Sequence, residues 1–179
     1  MSIARYIREI GRGKEGARSL DETQANDLMC QLLDGQITDL EVGAFALAMR
    51  IKGESVAELS GFLPAVHARC MAIDCTRPVV MLPSYNGARR LPNLAALLAL
   101  LLAREGIAVL MHGPLGDSGR VASAQIFEAL GLPICGDAAQ VHAAWSRSEP
   151  AFMRIDALCP PLARLLAVRR VVGLRNSGH

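Results

Sequence analysis

The sequence predicts a chain in two parts, of class α + α/β. An N-terminal helical domain covers residues 1–72, and the first part of a mostly parallel α/β sheet domain covers 79–179. Three observations carry this. Apolar residues recur at helical spacing, punctuated by capping residues and glycines, to about residue 67. Residues 79–112 then read as strand, polar loop, leucine-alanine helix and strand, the unit of a parallel sheet with a ligand-facing loop. Shorter alternations of the same kind follow.

In the first part, Ile3, Tyr6, Ile7 and Ile10 make one helical face, ended by Gly11-Arg12-Gly13. Ser19 or Asp21 caps a second helix, which runs through Leu28, Leu32 and Leu33 to Asp34-Gly35. Thr38 caps a third, carrying Val42, Phe45, Ala46 and Met49. After Gly53, Ser55 and Glu58 form a capping-box pattern for a fourth, with Leu59, Phe62, Leu63 and Val66 as its expected apolar face. The small residues Gly43, Ala44, Ala46 and Ala48 suit close helix contacts, inside the domain or across a dimer. Arg5, Arg8, Arg12, Lys14 and Arg18 cluster near the start, as a solvated face or a polyanion footprint.

Residues 73–78 lead into the sheet. Val79, Val80, Met81 and Leu82 form the first strand, a helix runs from Asn93 to about Arg104, and residues 107–111 form the second strand. A helix over 121–130 closes at Gly131, Pro133-Ile134-Cys135 is a third strand, and residues 138–145 make a short helix. Phe152-Met153-Arg154-Ile155 is a fourth strand, and Pro160-Pro161 opens a helix through Leu162, Leu165, Leu166, Arg169 and Arg170. A sheet of so few strands leads us to expect that the natural protein or its family is longer.

Composition narrows the function classes. A hydrophobic fraction of 51% excludes a mainly disordered chain, and with aromatics at only 4% the core rests on alanine and leucine. A net charge of +2 permits a local basic patch without demanding a polyanionic partner. Cys30, Cys70, Cys75, Cys135 and Cys159 show no metal-ligand spacing and read as reduced thiols of a cytoplasmic protein. The most apolar run, 94–103, is too short to span a bilayer.

Chemistry concentrates in two polar loops at the carboxyl ends of neighbouring strands, where open α/β sheets bind ligands. The first supplies Ser84, Tyr85, Asn86, Arg89, Arg90 and Asn93; the second supplies His112, Asp117, Ser118, Arg120 and Ser123. Glycine amides, a helix start and arginines together make an anion nest. The pattern points to a phosphate or a nucleic-acid backbone, against the plainer reading of two turns with surface arginines. His112 is an anion contact, an acid/base or a structural histidine. Asp117 is the only acid in either loop, which argues against a two-metal site. Arg169, Arg170 and Arg175 add positive charge that would enlarge the same cleft if their helix packs beside the sheet ends.

At these residues the chain resembles the anthranilate phosphoribosyltransferase family, glycosyltransferase family 3. Leu32-Leu33-Asp34-Gly35-Gln36-Ile37-Thr38-Asp39 and Ala48-Met49-Arg50-Ile51-Lys52-Gly53-Glu54 resemble its helical domain. His112-Gly113 and Glu128-Ala129-Leu130-Gly131 resemble its second loop and helix; Cys159-Pro160 with Val168-Arg169-Arg170, Gly173 and Arg175 resembles the segment before its next loop. The resemblance implies a transferase fold, a homodimer through the helical domain and, for the enzymes, magnesium and phosphoribosyl diphosphate. Arg169 matches the family arginine for the anthranilate carboxylate, and Asn93 matches the asparagine after the diphosphate loop.

The departures are specific. The family's glycine-threonine-glycine-glycine-aspartate loop is here Pro83-Ser84-Tyr85-Asn86-Gly87. The asparagine and arginine after His112-Gly113 are Pro114 and Leu115, and the histidine before proline is Cys159. Of the family's serine series only Ser118 and Ser123 stay, with Arg120 at a basic position. Residues 83–89, Cys159-Pro160-Pro161 and Arg175-Asn176-Ser177 resemble the YbiB-type branch, which implies sequence-independent DNA binding by a basic groove. The expectation is therefore a cytoplasmic nucleic-acid binder, homodimeric, with no membrane partner and no cofactor. Its contacts are Ser84, Asn86, Arg89, Arg90, Asn93, His112, Ser118, Arg120, Arg169, Arg170 and Arg175. The alternatives are phosphoribosyl transfer to an unknown acceptor, using magnesium and phosphoribosyl diphosphate, and a helical interaction module without separate activity.

Overall fold

A computed structural model describes residues 2–88, 90–116, 119–174 and 177. The chain forms two compact units, one of Met1–Cys70 with Pro161–His179 and one of Met71–Pro160. The helical part followed by a parallel sheet with helices confirms the expected fold class.

The first unit opens with α1 (Ala4–Ile10), α2 (Gly13–Gly16), α3 (Glu22–Leu33), α4 (Asp39–Lys52) and α5 (Val56–His67). Reciprocal capping boxes start the last three: Asp21 with Gln24, Thr38 with Glu41, and Ser55 with Glu58. Asp21, not Ser19, is thus the cap of α3. Glu41 also reaches the start of the chain, accepting from Ser2 Oγ at 2.9 Å and Ile3 N at 3.1 Å. The backbone amide of Thr38, then Ser2, hold its carboxyl down at about 2.

Glu58 is the buried charge of this unit. Its Oε1 accepts from Leu20 N at 3.0 Å, and its Oε2 from Ser55 N at 2.8 Å and Lys52 Nζ at 2.6 Å. The Lys52 side chain is itself only 8% exposed and also donates to Gly53 O at 2.6 Å. Burial works to raise the Glu58 pKa, but Lys52 and the two amides outweigh it and keep the carboxyl below its usual range.

The buried side of α5 differs from the expected one. Glu58, Gly61, Phe62 and Ala65 face inward, while Leu59 and Leu63 are exposed. The cause is a close crossing with α3: a Cβ on Gly61 would lie 2.3 Å from Glu22 O and 2.8 Å from Ala25 Cβ. Asn26 Nδ2 fixes the crossing by donating to Gly61 O at 2.9 Å.

The second unit contains β1 (Val79–Pro83), α6 (Ala95–Arg104), β2 (Ala108–Gly113), α7 (Ser123–Ala129), β3 (Ile134–Cys135), α8 (Ala138–Ser146), β4 (Ala151–Arg154) and α9 (Ile155–Leu158). The described strands form one parallel sheet in the order β1-β2-β4-β3. The chain moves outward from β1 to β2 to β3, then back to β4. Right-handed crossovers therefore put α6 and α7 on one face and α8 on the other. On the first face Val109, Met111 and Phe152 pack against Ala96, Ala99, Ala124 and Phe127. Alternation turns Leu110, Ala151 and Met153 to the second. Trp145 of α8 donates Nε1–H to Val109 O at 2.9 Å.

The last helices, α10 (Pro160–Ala167) and α11 (Arg169–Val172), belong to the helical unit and not, as the sequence suggested, to a sheet domain running to residue 179. The apolar side of α10 (Leu162, Leu165 and Leu166) is buried, and Arg164 Nη2 donates to Leu33 O at 3.3 Å.

Two substitutions test this packing by chemical denaturation. Gly61→Ala drives a methyl into the α3 backbone and should lower stability by about 1–3 kcal/mol. Glu58→Ala strands the Lys52 charge and should cost more, about 3–5 kcal/mol.

Candidate anion-binding site

The site is built where β1 and β2 end. Backbone pairing continues past β1, with Ser84 N donating to His112 O at 2.8 Å. Gly113 makes this possible, because a Cβ there would sit 2.2 Å from Ser84 O. The loops after the two strands then pair once more, through an antiparallel bridge between Ala88 and Val121 (N···O 3.0 and 2.9 Å). Gly87 lies at that crossing, where a Cβ would come within 2.7 Å of Val121 O.

Side chains complete the tie. Ser123, which opens α7, is 1% exposed. Its hydroxyl meets Ser84 Oγ at 2.7 Å and accepts from Asn93 Nδ2 at 3.0 Å. Asn93 also donates to Val121 O at 3.1 Å and accepts from Ala95 N at 3.2 Å, at the start of α6. Arg120 Nη1 donates to Gly87 O at 3.1 Å. The Tyr85 hydroxyl and His112 Nδ1 are hydrogen-bonded at 2.7 Å, with the rings edge to face. Burial pulls the His112 pKa below its ordinary value of 6.5.

The structure thus gathers Ser84, Asn93, His112 and Arg120 into one network, with Asn86 and Arg90 exposed beside it. Arg169, half-buried, and Arg170, exposed, sit on α11 of the helical unit. Arg89, Ser118 and Arg175, together with Asp117, lie outside the described residues. Two members of the network stand in the expected loops but outside the expected set of contacts: Ser123, the buried hub, and Tyr85, the partner of His112. The only signal for Ser123 is a serine at the opening of a helix after a strand-end loop.

Other features bear on the sequence expectations. Two residues of the basic start of the chain are engaged: Arg5 donates to Asp27 at 2.9 Å and lies over the Tyr6 ring, and Arg12 bonds Glu9 at 2.9 Å. Among the described residues no cluster of three or more His, Cys, Asp or Glu could hold a metal ion, and no helix is long and apolar enough to cross a membrane. A groove of about 470 Å³ lies between Asp74, Cys75, Thr76 and Arg77 of the linker and His142, Trp145 and Ser146 of α8. Nothing in the sequence singles it out.

The network makes two measurable claims. Ser123→Ala removes a shared partner of Ser84 and Asn93 and should destabilise the protein by about 1–3 kcal/mol, read by thermal or urea unfolding. The unfolded chain binds the His112 proton near pH 6.5, while the folded chain binds it only at lower pH. Below pH 6.5 the unfolded state therefore holds more protons, and stability falls as the pH drops. An NMR titration should find the imidazole more than half neutral at pH 6.5, and His112→Gln should flatten that part of the stability profile.

Comparison with known proteins follows the same outline. Residues 4–70 match the family model described as glycosyl transferase family, helical bundle domain. The uncharacterized protein YbiB of Escherichia coli (strain K12) is 42% identical over 182 residues, covering all of this chain and 57% of that protein. The anthranilate phosphoribosyltransferase of Symbiobacterium thermophilum is 31% identical over 95% of this chain and 49% of its own length. The crystal structure of anthranilate phosphoribosyltransferase from Thermus thermophilus superimposes with a TM-score of 0.76 at 23% identity, over 97% of this chain and 52% of that one, and so shares the fold. The chain spans about half the length of the curated relatives it matches. Residues 4–70 thus match the glycosyl transferase helical bundle domain, and over nearly its whole length the chain resembles about half of an anthranilate phosphoribosyltransferase in sequence and fold.

Proposed function

We propose that this chain binds the sugar-phosphate backbone of nucleic acid, DNA foremost, without reading sequence, on a transferase-type fold whose diphosphate loop has been closed. The supporting observation is the tie between the two loops. Ser84, Asn93 and Ser123 satisfy one another, and the Gly87 carbonyl is taken by Arg120. A phosphoribosyl diphosphate cradle needs glycine amides that the ligand can approach and an acid; the family's aspartate position is here Gly87, packed against Val121. The residues present do not suit that group. What they offer to solvent is Asn86 and Arg90 on the rim of the sheet, and Arg170 on α11.

The absence of base reading follows from the aromatics. Tyr85, the loop's one aromatic, is half-buried and bonded to His112. It is a poor platform for stacking bases, so the contact rests on charge. A homodimer through the helical unit fits the exposed stripe of Leu40, Leu47 and Ile51 on α4 and that of Val56, Leu59 and Leu63 on α5. A dimer would double a local basic surface that a net charge of +2 leaves modest. A cytoplasmic location suits the five cysteines, which form no disulfide among the described residues. The second reading, phosphoribosyl transfer to an unknown acceptor, draws on the relatives' name and on the retained Asn93 and His112-Gly113.

One titration separates the readings. Duplex and single-stranded DNA of arbitrary sequence should bind, with affinity falling steeply between two salt concentrations. Arg89→Ala with Arg90→Ala should weaken binding alike for all sequences and reduce the salt slope by about two. Affinity indifferent to both salt and the arginines rejects the electrostatic reading. Phosphoribosyl diphosphate with magnesium should leave the melting temperature unchanged, whereas binding with turnover would establish the transferase.

A further inference from the structure

We infer that the groove between residues 74–77 and α8 binds a free α-amino acid with a large apolar or aromatic side chain. The inference is independent of the nucleic-acid reading. Residues 74–77 lead into β1 at Val79, and α8 ends at Ser146, shortly before β4 opens at Ala151. The groove therefore lies at the amino ends of the parallel strands, whereas the anion-binding loops lie at their carboxyl ends. Its volume of about 470 Å³ falls within the roughly 300–1,000 Å³ of small-molecule sites.

Both charges of such a ligand find a counterpart in the lining. Arg77 Nη2 donates to Trp145 O at 3.4 Å, a long bond at the end of α8 that leaves the other guanidinium donors without a partner among the described residues. A carboxylate accepts two such donors side by side. Asp74, three residues earlier in the same segment, is exposed and makes no hydrogen bond or ion pair among the described residues, with Arg77 or any other. It is the counterpart of the ammonium. A simple anion in the groove would meet the Asp74 carboxylate and a simple cation the Arg77 guanidinium, so a zwitterion is the ligand that suits both. The facing wall takes the side chain. There His142 and Trp145 stand edge to face, with ring centroids 5.5 Å apart. Trp145 is pinned to β2 through Val109 O, and α8 is closed by bonds from Ser148 N to Trp145 O and from Glu149 N to Ala144 O, both 3.1 Å. The aromatic wall is thus held in place before a ligand arrives, which reduces the ordering cost of binding.

Trp145 is the only tryptophan of the chain, so its emission reports on the groove directly. Titration with L-phenylalanine or L-leucine, followed by that emission and by calorimetry, should show saturable binding. Phenylpropionate lacks the ammonium and phenethylamine lacks the carboxylate, and each should bind about tenfold more weakly or worse than L-phenylalanine. Asp74→Asn should abolish the preference for L-phenylalanine over phenylpropionate. Arg77→Gln should abolish its preference over phenethylamine. Because Asp74 is exposed and has no partner among the described residues, its substitution should leave the circular dichroism and melting temperature unchanged, which separates loss of the site from loss of the fold. Absence of saturable binding of both amino acids overturns the inference. So does equal affinity for phenylpropionate, which would make the groove a plain anion site, and so does L-phenylalanine binding that survives both substitutions.

Discussion

The loops after β1 and β2 depend on the contact between Ser84 and Gly113. Two parallel strands that finish side by side normally send their loops apart, toward the helices that follow. Here the Ser84 carbonyl lies where a side chain at Gly113 would be, so the loops leave the sheet already touching. The Ala88–Val121 bridge and the Ser84–Ser123–Asn93 bonds are then within reach at little further cost in chain entropy. Ser84, Asn93 and Ser123 thereby satisfy one another inside the protein. Ser123, buried and bonded to both Ser84 and Asn93, joins the two loops at one hydroxyl.

In the helical unit the corresponding constraint is a charge. Glu58 has no exposure, and a carboxylate in that position is tolerable only when its oxygens are fully engaged. Lys52, Ser55 and Leu20 supply the partners, and they come from the end of α4, the start of α5 and the segment before α3. One side chain therefore sets the turn between two helices and the entry to a third. Gly61 acts on the same pair of helices from the other direction, by removing the bulk that would hold α5 away from α3. The capping residue and the missing side chain together decide which face of α5 is inside.

Much of the fold was legible because helix starts and strand–helix alternation are local signals. Thr38, Ser55 and Glu58 announced their helices through hydrogen bonds spanning three residues, and the β1 and β2 segments were plain in their apolar runs. The errors came where partners are distant in sequence. Leu59 and Leu63 looked like core because apolar spacing does not see Gly61, whose role depends on α3. Arg5 and Arg12 do lie on the solvated face that the sequence suggested, but their ion pairs with Asp27 and Glu9 were not visible in it. The amphipathic α10 was read correctly as a helix and assigned to the wrong unit, since nothing in residues 160–167 records that Leu33 is its neighbour. Within the site, the residue types of both loops were visible, and so was the resemblance to a phosphoribosyl diphosphate loop. That Ser84 and Asn93 share Ser123, and that Tyr85 holds His112, was not.

Sequence alone determined the element types, their order and the family likeness, because each rests on spacing within a few residues or on motifs that persist when contacts change. It also showed that Pro83, Tyr85 and Asn86 stand where the resembled loop has glycines, with Ser84 at its threonine. Only the tertiary structure decided what Ser84 and Tyr85 do, because their partners lie 39 and 27 positions away, at the start of α7 and the end of β2. The same holds for the membership of α10 and the inward face of α5. In each case the deciding interaction joins residues that the chain keeps far apart and the fold brings within hydrogen-bond or van der Waals distance.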